Sequence, residues 1–394
     1  MKHFILTHSW FVYEYILKYF GVYPLQRCGE FGLKVTKSFP FWMRYFLAWF
    51  LVSSLIGVTN YYIQNVVSTQ DQVLGAMNKI MFTSLMSMVA SVGALVLSGF
   101  LHLTTIISVR KMATYLIDLQ EYCNEQLTII QPTLIKNVKQ TNMKLGLSLF
   151  VIFLSQASII IGIWHQIFSL LDLDMAWLWF VIMTIQQILW IAFCFCPLFY
   201  FMFVYGEITS LMMAWCDELI TLENISTITE EAYHLAKCID IVGKSFSGPL
   251  FWIISNMLTA LIVWVFNTIN LFLNIHWSTT HWDELALIFG NLVACFYVTF
   301  VLFFLCENSE KLVCKVRHVN LKIMDFKMVN AEIETIYGLL DKFKGFNANG
   351  YFVVNSSLLT GMVANFVTYS VILIQFRQSE STIPECICNS TTVI

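Results

Sequence analysis

Apolar residues come in long runs along this chain, separated by charged stretches. About 20 apolar residues cross a bilayer as a helix. The pattern predicts seven such helices, within residues 42–62, 80–109, 145–171, 175–206, 248–274, 285–306 and 350–376. Pro197 predicts a kink late in the fourth. Gly248-Pro249 suits the first turn of the fifth, where a missing N–H costs nothing. Residues 1–40 are mixed, with Gly21 and Pro24 marking a turn after a short amphipathic stretch. Helical periodicity persists through 207–240 and 307–343, which read as extensions of the spans.

The last run has an unusual pattern. No Asp, Glu, Lys or Arg interrupts residues 350–376. At roughly 100° per residue, Ser357, Gly361, Ala364, Ile372 and Gln375 all fall within about 40° of Thr368. Asn365 and Val371 flank this stripe, and Leu358, Met362, Phe366 and Leu373 lie on the other side. Small and polar residues on one face of a spanning helix have two explanations. They permit close helix packing with hydrogen bonds across the seam, or they wall a water-filled pore. The residues alone leave both open.

Composition narrows the class. Of 394 residues, 58% are hydrophobic and only 12% charged, about half the charged share of soluble domains. The chain is therefore expected to be an all-α polytopic membrane protein. Its charges are sorted: twenty of the 22 Lys and Arg residues lie before span one, at its inner edge (Arg44), or between spans two and three, four and five, and six and seven. Only Lys79 and Arg377 fall on the other side. By the positive-inside rule the N-terminus is cytoplasmic and the C-terminus extracellular. The expected organisation is a cytoplasmic segment at 1–41, six spanning helices with an outward-open pocket over 42–306, a cytoplasmic anchor at 307–349, the last helix at 350–376, and an extracellular tail at 377–394.

This orientation excludes G-protein-coupled receptors, which place the N-terminus outside. Span three ends outside, no Asn-Pro-x-x-Tyr occurs in span seven, and no outer-loop cysteine pair is present. An enzyme is not expected. His102 is the only histidine in the inner half of a span, so no metal-ligand set converges there. Neither a metal nor a cofactor is implied, and nothing points to nucleic acid. A coupled transporter would carry ionisable residues inside its spans, and these spans hold essentially none. Cys194, Cys196, Cys295 and Cys306 read as small buried residues. Cys386 and Cys388 sit in the outer tail, where disulfides are permitted. The sequons at Asn224 and Asn355 fall on the cytoplasmic side, which leaves Asn389 as the glycosylation candidate.

Aromatic and amide residues recur in the outer halves of spans three to six. Trp177, Trp179, Trp277 and Trp282 fit the interfacial belt. Trp164, Gln186, Trp190, Trp264, Asn267 and Asn291 lie deeper. Buried amides in lipid need partners. These six residues either satisfy one another or line a cavity for a small molecule.

The run Thr368-Tyr369-Ser-Val-Ile-Leu-Ile-Gln375-Phe376 resembles the signature of the insect gustatory receptors. Asn349-Gly350-Tyr351-Phe352-Val-Val-Asn-Ser-Ser-Leu-Leu is similar to the opening of that family's last segment, and Phe20-Gly21-Val-Tyr-Pro24 to its N-terminus. Ser370 departs from an expected apolar position. The resemblance implies a ligand-gated, non-selective cation channel in the plasma membrane of a sensory neuron. It implies a homo- or heterotetramer with other gustatory receptor subunits, in which span seven lines the pore and the cytoplasmic ends of spans four to seven form a central anchor. It places Gln375 and Phe376 at the gate, with Thr368 and Ile372 below them. The helical wheel sets Phe376 about 100° off the stripe, behind the gate rather than on it. The implied ligand is a small-molecule tastant bound in the outer pocket. Features typical of sugar receptors are not evident, which leans the expectation to a bitter or aversive compound. Insect odorant receptors share the same architecture and are the alternative, followed by a metabotropic or accessory seven-span protein.

Overall fold

A computed structural model describes residues 25–28 and 32–35, parts of 42–57, 93–108, 139–162 and 177–188, and then 195–274, 282–325 and 331–381. Among them the chain is helical apart from two short antiparallel strand pairs. The first pairs β1 (Leu25–Cys28) with β2 (Gly32–Val35), Leu25 opposite Val35. The sequence pattern does not predict it, because four-residue strands carry too little alternation to stand out in a mixed segment. Five helices follow from residue 196 onward: α1 (Cys196–Thr221), α2 (Ile225–Asn274), α3 (Trp282–Asp325), α4 (Ala331–Asp341) and α5 (Ser356–Ser381). A second pair, β3 (Asn347–Ala348) with β4 (Phe352–Val353), lies between α4 and α5.

α2 and α3 are 50 and 44 residues long, and each carries an apolar run sufficient to cross a membrane. Both also extend through the polar stretches of the sequence. α2 starts at Ile225, so Pro249 lies inside it rather than in its first turn. A mid-helix proline cannot donate to the carbonyl four residues back, which here belongs to Ser245. The Ser108 hydroxyl donates to that carbonyl instead. Gly248 beside it faces Thr104, at 3.6 Å from where a Cβ would stand, an ordinary contact distance. The proline is tolerated because a neighbouring helix supplies the missing donor.

The core is built where α1, α2 and α3 meet. Tyr205 of α1 is fully buried and donates its hydroxyl to the Leu305 carbonyl of α3 at 3.0 Å. Phe246 of α2 packs 5.3 Å from both Phe201 and Tyr205. Phe346, on the segment between α4 and β3, enters the same cluster, 5.5 Å from Tyr205 and 5.6 Å from Phe246. Such tilted and edge-on aromatic pairs add to their area burial.

Polar ties hold the basic end of the bundle. Lys322 of α3 donates to the Ile220 carbonyl at 2.5 Å and to the Leu222 carbonyl, satisfying the last turn of α1. Lys315 pairs with Asp217, and the Trp215 indole donates to Glu231 of α2 at 3.1 Å. Glu307 binds Lys311 at 2.6 Å and Lys144 at 3.1 Å, which joins α3 to the helix at 139–162. Farther along, the backbones approach at Gly290, where a Cβ would lie 2.6 Å from Ile159 and Ser155 already donates to the Gly290 carbonyl at 2.7 Å.

Ser108→Ala leaves the Ser245 carbonyl orphaned and lowers stability by about 1–3 kcal/mol. In a Pro249→Ala background, where the helix satisfies that carbonyl itself, the penalty shrinks to a few tenths; thermal melting of the four proteins in detergent reads the difference. Phe346→Ala empties the aromatic cluster and costs about 3–5 kcal/mol by the same measurement.

Candidate functional site

The last helix is introduced by a compact hairpin. Gly345 has φ +119°, Asn349 +51° and Gly350 +81°. Glycine adopts the left-handed region without strain, and Asn tolerates it better than most residues. A Cβ at Gly345 would also lie 3.0 Å from Val353 and 3.1 Å from the Ser309 hydroxyl oxygen. Asn347 Oδ1 accepts from Gly350 N–H at 2.6 Å, and the Val354 N–H returns to the Phe346 carbonyl at 2.8 Å. The hairpin fastens to α2 by Asn349 N–H donating to the Ser247 hydroxyl at 2.8 Å, and to α3 by Phe346 N–H donating to Ser309 at 3.3 Å.

Helix α5 begins at Ser356, six residues after the expected span start at 350, because the hairpin occupies the intervening chain. Asn355, noted in the sequence as part of a sequon, is its N-cap: Oδ1 accepts from Leu358 N–H at 3.1 Å. Glu310 of α3 adds a second cap, its Oε1 accepting from Ser356 N–H at 2.7 Å. Hydrogen bonds from the Ser356 hydroxyl and backbone hold the Glu310 carboxyl below its ordinary pKa. Sequence reasoning missed Glu310, since an acid one helix away leaves no local pattern. Asn355-Ser356 did carry a readable helix-start signature.

Burial along α5 is uneven. Leu358 and Leu359 are half-buried against the core and Met362 is 6% exposed. Farther on, every residue whose burial is described is exposed: Val363, Ala364, Asn365, Val367, Thr368, Val371, Ile372 and Gln375. Gly361 has nothing within 4 Å of where a Cβ would stand. The small, polar stripe therefore packs against no other described segment of this chain. Thr368 satisfies its hydroxyl on the Ala364 carbonyl at 3.0 Å, so it presents its methyl and one lone-pair side outward. Tyr369 and Phe376 lie on α5, but their side chains are outside the described set.

The deeper aromatic and amide residues are not assembled into one described cavity. Trp264 is half-buried beside the core, and Asn291 is 8% exposed with its amide donating to the Leu287 carbonyl of its own helix at 2.9 Å. Asn267 lies on α2 with its side chain undescribed, while Trp164, Gln186, Trp190, Asn389, Cys386 and Cys388 lie outside the described residues. Trp177 and Trp282 are exposed, at 51% and 83%.

A family described as 7tm Chemosensory receptor matches residues 11–380. The fold is similar to the olfactory receptor OR5 of the insect Machilis hrabei. Its structure in complex with eugenol aligns with a TM-score of 0.63 and 14% identity, over 93% of this chain and 97% of that one. A second OR5 structure aligns with a TM-score of 0.59 and 16% identity, over 94% and 99%. No curated protein matches significantly. With a family match across nearly its whole length, the chain belongs to the 7tm chemosensory receptor family.

Proposed function

We propose that this chain is a gustatory receptor subunit, one of four that assemble as a ligand-gated, non-selective cation channel with α5 lining the pore. The observation that carries the reading is the uncovered outer length of α5. A helix with a small, polar face and no cover from the described residues beyond Met362 needs another surface opposite that face. Lipid has no hydrogen bonds to offer it, and copies of the same helix around an aqueous axis do. In this arrangement Gln375 and Phe376 stand at the outer mouth, with Ile372 and Thr368 below. The sorting of Lys and Arg sets the hairpin and the long ends of α2 and α3 in the cytoplasm.

The ligand is a small molecule entering from outside among spans two to six, where Trp264 and Asn291 stand. Support comes from the related OR5, solved in complex with eugenol. The Thr-Tyr-five-Gln-Phe run favours the gustatory branch. An odorant receptor subunit is the second reading, favoured by the two olfactory receptor structures that share the fold. A calcium-response panel with sugars, bitter compounds and volatile odorants separates the two.

Gln375→Ala removes the amide from the narrowest ring and is expected to change unitary conductance or basal leak at least twofold in patch recordings. An unchanged channel would remove Gln375 from the gate. Ligand currents in excised patches without nucleotides are expected, and their absence there would favour a metabotropic receptor.

A further inference from the structure

One turn of α3 binds three separate parts of the chain. Glu307 holds Lys144, on the helix at 139–162, at 3.1 Å. Ser309 is fully buried and accepts the Phe346 N–H of the hairpin. Glu310 accepts the Ser356 N–H at the first residue of α5. The helix at 139–162 in turn closes on α3 at Gly290 and Ser155, on the apolar side of the same pair. A displacement of α3 against that helix therefore acts at residues 307–310 on both the hairpin and the base of α5.

The base is where such a displacement can act. Among the described residues α5 is packed over its first two turns, through Leu358, Leu359 and Met362, and every described side chain beyond is exposed. A helix held at one end and free along the rest moves at its far end when its base tilts. Its orientation depends on how the first turn is seated. Asn355 caps α5 from within its own segment and cannot fix it relative to α3. Glu310 can, because it reaches from α3 to the first free N–H of α5, with its negative charge at the positive end of the helix dipole.

The geometry points to Glu310 as the positioning residue that couples movement of α3 to the tilt of α5, with Glu307 and Ser309 completing the coupling turn. The inference rests on the channel reading above and deepens it.

The experiment uses the full chain in nanodiscs for amide exchange and in excised patches for current, with sucrose, quinine and eugenol as probes. Glu310→Ala removes the acceptor, and Ser356→Pro removes the donor at a first helical position where proline is well tolerated. Each is expected to speed amide exchange at the start of α5. Each is also expected to shift the open fraction, basal or probe-evoked, about fivefold, the scale of a lost charged cap. Unitary conductance stays the same. Combining the two adds nothing further, because they remove the same interaction. Glu310→Gln keeps an acceptor and retains most of the coupling, which separates positioning from loss of fold. Unchanged exchange in Glu310→Ala would overturn the cap. Faster exchange with an unchanged open fraction, or additive effects in the double variant, would overturn the coupling. A parent chain without any current, basal or evoked, would fail the channel reading and take the gating role with it, while exchange would still report the cap by itself.

Discussion

Burial of Phe346 among Tyr205, Phe246 and Phe343 is the interaction on which the architecture depends. It brings α1, α2 and the connection into α5 to one point, and the neighbouring Tyr205 hydroxyl ties that point to α3. Beside it, the hairpin at 345–354 is held to the bundle by three side-chain hydrogen bonds, to Ser309 and to Ser247, and by the rings of Tyr351 and Phe352 against Phe251. Each of these hydrogen bonds is worth about 1 kcal/mol, whereas a buried phenylalanine contributes several. The left-handed backbone at Gly345 turns the chain so that Phe346 points inward and Val354 returns beside it.

From that point the structure separates into a well-packed base and an unpacked lever. α1, α2 and α3 bury their apolar faces against each other, and several polar groups are paired across helices. The Ser108 hydroxyl completes the bond that Pro249 breaks. Asn256 donates to Ser98 at 3.1 Å. Such pairings are what a low-dielectric surrounding requires of every backbone gap and amide. α5 leaves this base and loses its cover within two turns. No other described segment covers the rest, and the proposed assembly would supply that cover.

Much of this was legible in the sequence. The helical class follows from apolar runs whose length matches a bilayer, and the stripe on α5 from residue spacing alone. The extensions of α2 and α3 were visible as continued periodicity at 207–240 and 307–343. The strand pairs were not, because two to four residues show no period. The unbroken course of α2 through Pro249 was hidden because its remedy, Ser108, lies 137 positions before the Ser245 carbonyl it completes. Glu310 was hidden for the same reason, since a cap supplied from another helix leaves no local signature. The alternative of packing or pore could not be decided from the stripe itself, because both need small residues. The empty space at Gly361 bears on that choice, since close packing within the described chain would have filled it.

The central claim is that the stripe on α5 faces water in an assembled channel. Cysteine substitution along residues 357–375, with water-soluble thiol reagents applied during current recording, tests it most directly. The account predicts modification that alters current at Gly361, Ala364, Thr368, Ile372 and Gln375, and none at Leu358 or Met362. Reactivity without that helical period, or confined to Val363 and Val367 with current unaffected, would contradict it.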